Sequence, residues 1–378
     1  MIFLLTSSPT IEAISVEGNR WTRSDYILRY AGIRRGDTVS DSLLETVERR
    51  LWQLGLFRAV DVALVGDTLK IKVEEMWYIY PVPYLSISSQ ELSYGVGIYH
   101  GNFRGMGEKI YGMLTWGDRR MLVGGWSTAS HRMALNVFSL DGGKEVYNSQ
   151  LYLMPLERLF LKATYTARLE PPWRLKLEIE GDITTSDSTH LLYGDSKDSF
   201  LKAGFYLYRD TRDWEPYPRR GYVSRGHLIS YVGDFAAWYY GGDFRAFLTL
   251  GRITLVPYVS LHAIFGDVPI YVQLPLIGRS DILRGSIPED RWLGYRRGIV
   301  SAEVRYLVWE RFPEPLGRFL DGGGAAVVFA DAGWIDARGA ALLGVGAYAY
   351  TPFGRFLGLV GYGTGGLNLF FGESRRIY

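Results

Sequence analysis

From about residue 77 onward the chain alternates: apolar and polar side chains exchange places through segments of about ten residues, for about 300 residues, without a helical period. In 158–170, Leu159, Leu161, Ala163, Tyr165, Ala167 and Leu169 share one face, and Arg158, Lys162, Thr164, Thr166, Arg168 and Glu170 dominate the other. In 252–265, Ile253, Leu255, Val259, Leu261 and Ala263 oppose Arg252, Thr254, Tyr258, Ser260 and His262. A period of two is the mark of a strand with one apolar and one polar face. A soluble sandwich alternates too, but its apolar faces must converge on one core. Ten-residue segments repeated over such a length, with no helices between them, fit an antiparallel transmembrane β-barrel with lipid outside and a polar lumen. A closed barrel is also the one sheet that leaves no unpaired edge in hydrocarbon.

The pattern predicts strands at 77–88, 91–101, 108–117, 120–129, 131–140, 146–155, 158–170, 173–183, 199–209, 220–231, 239–250, 252–264, 298–309, 322–332, 341–350, 354–363 and 366–371. Single-chain barrels favour even counts, so one segment is surplus and about 16 strands are expected. The segment 173–183 is the candidate for an excursion from the wall. Composition agrees with a barrel: 27 Tyr and 11 Trp can supply interfacial girdles, and 45 Gly can supply turns and bends. A formal net charge of +2 gives no field for nucleic acid. The absence of cysteine excludes disulfides and thiolate metal sites, and no cofactor or metal is expected. No run reaches 18 uninterrupted apolar residues, so a transmembrane helix is not supported. Residues 1–9 are apolar at their start but lack a basic leader region, which leaves a signal remnant and an irregular terminus both open.

Residues 10–76 follow a different grammar. Ile11–Val16 reads as a strand ended by Gly18-Asn19. Thr22-Arg23-Ser24-Asp25 offers capping side chains for a helix through about Tyr30. Ser40-Asp41 opens a second helix, with Leu43, Leu44, Val47, Leu51 and Leu54 at helical spacing and Gly55 at its end. Glu45, Glu48, Arg49 and Arg50 read as its solvated face. Strands at 57–65 and 69–73 follow, giving the small α/β order β-α-α-β-β.

This N-terminal unit resembles a POTRA domain, the periplasmic module of outer-membrane assembly factors. The residues that carry the resemblance are Ile11, Ile14, Val16, Gly18 and Asn19, then Gly36-Asp37, then Arg50-Leu51, Leu54-Gly55-Leu56-Phe57 and Val60, closing at Val73-Glu74-Glu75. The barrel, 77–378, adds three segments similar to the superfamily typified by BamA and TamA. Asn102-Phe103-Arg104-Gly105-Met106-Gly107 is similar to the Gly-rich segment after the second strand. Asp210, Arg212, Asp213, Pro218 and Gly221 resemble a turn of the same family. Arg284-Gly285, in the connection 266–297, resembles the tip of a loop that folds back into the lumen, although Ser286 stands where an aromatic is usual. The resemblance implies that Arg284 pairs with acids on the inner wall, at the positions of Glu303 and Asp331. Alternation alone puts Glu303 on the polar face; for Asp331 the parity is ambiguous. The resemblance also implies that the last strand carries a terminal aromatic, Phe371 or Tyr378, and pairs with the first. Pro81 and Pro83 each remove a backbone donor there, so a poor seam is expected.

The leading functional expectation is insertion or translocation of client polypeptides at the bacterial outer membrane, with the POTRA domain in the periplasm. Periplasmic chaperones or accessory lipoproteins would be further partners. The alternative is a dedicated two-partner-type secretion pore. An enzyme is not expected: His100, His131, His190, His227 and His262 are scattered in sequence, and His262 reads as a solvated wall residue. A passive porin would have no use for a periplasmic capture module.

Overall fold

A computed structural model describes residues 9–52, 54–88, 92–128, 136–149, 154–170, 172–187, 193, 197–213, 217–278, 283–284, 293–310, 312–314, 323–351, 354–364 and 366–373. The N-terminal domain comprises β1 (Ala13–Glu17), α1 (Ser24–Ala31), α2 (Asp41–Trp52), β2 (Phe57–Val65) and β3 (Thr68–Glu75). Its sheet has the order β1-β3-β2, with β1 parallel and β2 antiparallel to β3. Ile27, Val47, Leu51, Leu69 and Ile71 are wholly buried between helices and sheet. Each such side chain stabilises the domain by about 1.5–3 kcal/mol in transfer from water. The Ser40 hydroxyl accepts from the Leu43 N–H at 3.2 Å and so starts α2. The expected cap of α1 does not form: Arg23 holds the N-cap position without a side-chain bond, and the Thr22 hydroxyl is engaged elsewhere. Arg50, expected in solvent, donates to the Ala31 carbonyl at the C-terminus of α1, where a cation suits the helix dipole.

The remaining wall strands are β4 (Ile79–Ser88), β5 (Leu92–Phe103), β6 (Glu108–Gly117), β7 (Arg119–Ser127), β8 (Asn136–Ser149), β9 (Met154–Arg168), β10 (Trp173–Ser186), β11 (Lys197–Asp210), β12 (Arg220–Gly233), β13 (Ala236–Leu250), β14 (Ile253–Phe265), β19 (Arg296–Trp309), β20 (Gly323–Ile335), β21 (Arg338–Thr351), β22 (Gly354–Gly363) and β23 (Gly366–Glu373). Between β14 and β19 lie four two-residue strands: β15 (Leu274–Pro275), β16 (Ile277–Gly278), β17 (Leu283–Arg284) and β18 (Leu293–Gly294). The sixteen wall strands follow one another in order and close into a barrel. No described helix is long and apolar enough to cross a membrane.

Two strand expectations need correction. The segment 173–183 belongs to the wall, as β10 between β9 and β11. The surplus arose at 131–140 and 146–155: β8 runs unbroken through Asp141-Gly142-Gly143-Lys144, which reads like a turn, while 131–135 lie outside the described residues. Along the wall the burial alternates. On β14, Thr254, Val256, Tyr258, Ser260 and His262 are buried, and Ile253, Leu255, Val259 and Leu261 are exposed. The apolar side is the outer one, as lipid requires.

Candidate functional site

The inner wall carries the expected acids. Glu303 and Asp331 are both buried on the lumen face. The parity of β20 is settled by burial: Ala325, Val327, Phe329 and Asp331 face inward, while Ala326, Val328, Ala330 and Trp334 face outward. Glu303 accepts from Arg305 Nε at 2.8 Å and from Arg305 Nη2 at 2.6 Å, and from the Tyr348 hydroxyl at 3.3 Å. Asp331 accepts from the Ser301 hydroxyl at 2.6 Å. Arg305 is fully buried and its guanidinium lies 4.6 Å from the Tyr348 ring centre. Sequence reasoning missed Arg305 as the near partner of Glu303, although the two are spaced by the strand period of two.

The connection after β14 does fold inward over its described part. Val268, Leu274 and Leu276 are buried against Ile264, Ile299 and Ile335 of the wall. Arg297 donates to the Pro275 carbonyl at 2.9 Å. Arg284 pairs through its backbone with Gly278; its side chain, and the whole of Gly285, lie outside the described residues.

The turn 210–221 gathers its named residues. Arg212 is buried and holds Asp210 through Nε at 2.8 Å and Nη2 at 2.6 Å. Asp213 accepts from the backbone N–H of Arg219 at 2.9 Å and of Arg220 at 3.1 Å. Pro218 is buried, beside Tyr217, which stacks on Tyr350 at 4.8 Å. Gly221 has φ +94, and a Cβ there would stand 2.2 Å from the Thr211 carbonyl oxygen, so only glycine fits.

The Gly-rich segment after β5 anchors a buried polar cluster. Asn102 accepts from the Gly107 N–H at 2.7 Å and donates to the Thr22 hydroxyl at 2.9 Å. Thr22 meets the Tyr78 hydroxyl at 3.0 Å, and Tyr78 donates to the Leu56 carbonyl at 3.0 Å. Burial pushes the Tyr78 phenol up to about 12. Glu75 receives the backbone N–H groups of Arg20 at 3.0 Å, Trp21 at 3.0 Å and Thr22 at 2.6 Å. Burial pushes the Glu75 carboxyl up, but the hydrogen bonds from Thr22, Trp21 and Arg20 outweigh it and hold the group below the usual carboxylate range. Gly105 approaches the Trp21 carbonyl where a Cβ would stand 2.1 Å away, and it accepts from the Arg23 N–H. Of the N-terminal signature, Gly18 (φ +85) lies against Val73, Asn19 donates to the Thr22 carbonyl, Leu54 and Phe57 are core, and Gly55 ends the α2 turn.

The seam is short. β23 pairs with β4 at Phe370↔Ser88 and Phe371↔Ile87. By contrast β22 pairs with β23 from Phe356↔Glu373 to Gly363↔Gly366. Pro81 and Pro83 face outward on β4. Extending the seam register would set them opposite positions 377 and 375, outside the described residues.

One histidine contradicts its sequence reading. His262 is buried, not solvated, and its ring centre lies 5.0 Å from that of His227. In register, His227 stands opposite Gly241 and Gly241 opposite His262, so the rings meet over a residue without a side chain. His262 Nε2 lies 3.1 Å from Asp243 Oδ1, which also accepts from Tyr258 at 2.9 Å, and Arg225 pairs with the same carboxylate. His262 Nδ1 meets the Tyr239 hydroxyl at 2.6 Å. The cluster therefore ties β12, β13 and β14 together.

A small β-α-α-β-β domain followed by a closed sixteen-strand barrel defines the class: a POTRA-bearing transmembrane β-barrel. Comparison with known proteins agrees. Residues 9–76 match the POTRA family described as "Surface antigen variable number repeat". The fold is similar to BamA from Haemophilus ducreyi lacking POTRA domains 1–3, with TM-score 0.72 and 15% identity, over 96% of this chain and 83% of that one. It is similar to CdiB from Acinetobacter baumannii, with TM-score 0.57 and 13% identity over 96% and 73%. CdiB from Escherichia coli gives TM-score 0.56 and 11% identity over 98% and 89%. No curated protein matched by sequence. The chain thus carries a POTRA-family domain at residues 9–76, followed by a barrel with the fold of the BamA and CdiB structures.

Proposed function

We propose that this protein inserts client polypeptides into the outer membrane, the POTRA domain capturing an extended segment at its sheet edge and the barrel receiving it beside the β4–β23 seam. The carrying observation is the seam itself, which the described residues pair only at Ile87 and Ser88 against Phe371 and Phe370. A ladder this short opens at far lower cost than its neighbours, since each net hydrogen bond is worth about 0.5–1.5 kcal/mol. Pro81 and Pro83 bring two fewer donors to β4. The Arg284 tip would brace the inner wall near Glu303 and Asp331, and the turn 210–221 would hold its end of the barrel rigid. Secretion of a single partner protein through the lumen is the second reading, favoured by the likeness to the two CdiB structures.

The test uses the absence of native cysteine. Ser88→Cys with Phe370→Cys places one oxidisable pair across the seam. Oxidation is expected to stop insertion of client barrels into proteoliposomes, and reduction to restore it. Undiminished insertion by the oxidised protein would sink the seam mechanism; secretion of a soluble partner through the locked barrel would favour the pore.

A further inference from the structure

We infer that the outer wall carries a binding site for an anionic phospholipid headgroup, centred on Arg209 between Trp173 and Tyr222. The inference rests on the barrel standing in a membrane and not on what it transports.

Of the three strands that carry the site, β10 and β11 present an apolar row to the outside, and β12 adds Tyr222. On β10 that row is Ile179, Leu177, Leu175 and Trp173; on β11 it is Leu201, Ala203, Phe205, Leu207 and Arg209. The register sets Leu177 opposite Phe205 and Trp173 opposite Arg209, so the guanidinium belongs to the lipid face and ends it. Arg209 is the next-to-last residue of β11, at the level where hydrocarbon gives way to headgroups. A cation in mid-bilayer would cost several times more than one at the edge. Its guanidinium carbon lies 5.2 Å from the Trp173 ring centre and 5.3 Å from that of Tyr222. Two rings thus hold the planar group by cation–π attraction and fix its direction.

What the rings do not supply is an anion. Arg209 Nε is buried without a hydrogen-bond partner, and no ion pair among the described residues engages Arg209. An outward pair on two neighbouring strands is treated otherwise: Lys144 of β8 and Glu157 of β9 neutralise each other at 2.5 Å. A guanidinium with open donors, oriented by aromatic rings at the edge of an apolar wall, matches the two oxygens of a phosphate diester. Arg220 and Arg252, exposed near the same strand ends, add positive charge around it. A net negative lipid is therefore favoured over a zwitterionic one.

The test is native mass spectrometry of the full chain in detergent with added phosphatidylglycerol or phosphatidylcholine. The parent should retain phosphatidylglycerol under activation that strips phosphatidylcholine. Arg209→Gln should lower that retention about tenfold, the loss of one charge-assisted pair. Trp173→Ala should give a smaller loss at unchanged charge, and Arg209→Lys should lie between parent and Gln. Heat-modifiable migration confirms that each variant is folded. Equal retention by folded Arg209→Gln would overturn the site, and so would displacement of the lipid by millimolar inorganic phosphate, which would mark a phosphate site rather than a lipid one.

Discussion

Glu75 does its structural work as an anion. Three successive backbone N–H groups converge on its carboxylate and hold its titration below the usual range. A group depressed in the folded state contributes stability that is present above its unfolded value near 4.3 and is lost as pH falls through the folded value. The amides of Arg20, Trp21 and Thr22 should therefore stay protected from hydrogen exchange at neutral pH and lose protection once acidification passes below the usual carboxylate range. Glu75→Gln should remove that pH dependence; persistence of the acid step in the variant would assign it to another group. Glu303 and Arg305 make a different kind of pair, both buried in the wall. Glu303→Gln leaves a buried arginine without its main counter-charge and should cost about 3–5 kcal/mol in a denaturant titration. Adding Arg305→Met should return most of that loss, because the uncompensated charge goes with it. Equal stability of the single and double variants would mean that a further group neutralises Arg305.

At the scale of elements, what was legible depended on whether the outer face was plainly apolar. On β14 the alternation of Ile253, Leu255, Val259 and Leu261 with polar residues fixes the facing without ambiguity. On β20 the outer positions are Ala326, Val328, Ala330 and Ala332, too like the inner Ala325 and Val327 to decide where Asp331 points. β8 was split because Asp141-Gly142-Gly143 has turn chemistry; a Cβ on Gly143 would come 2.5 Å from the Leu122 carbonyl oxygen, so a close neighbouring strand, not a bend, demands that glycine. The Thr22 cap failed because tertiary partners, Tyr78 and Asn102, outcompeted the local helix end. The His227–His262 contact crosses three strands, and no local pattern encodes it. Its enabling residue is Gly241, where a Cβ would stand 2.7 Å from His262 Nδ1 and 2.5 Å from the Leu261 carbonyl oxygen. Gly241→Ala should force the rings apart and lower the yield of heat-modifiable barrel more than Gly226→Ala, whose added Cβ meets nothing within 4 Å. Equal yields would show that the histidine contact is incidental to the wall.

At the scale of the molecule, the barrel is a wall whose lumen is partly filled from within. Leu276 is wholly buried and Leu274 and Val268 nearly so, all from the connection between β14 and β19, and all against wall residues Ile299 and Ile335. This apolar contact sits inside a lumen that elsewhere carries ionic groups such as Arg158, Glu180, Asp182 and Lys202. A loop held only by polar groups could exchange them for water at small cost; one held by buried leucines loses about 1.5–3 kcal/mol for each exposed. The loop should therefore stay seated in the resting protein, and planar-bilayer recordings should show small, infrequent currents. Leu276→Asp places a charge in that contact and should unseat the loop, giving larger and longer openings while the barrel stays heat-modifiable. Large steady currents from the parent would mean that the lumen is open at rest. Unchanged currents from a folded Leu276→Asp would mean that other contacts, the Arg284 tip foremost among them, hold the loop in place.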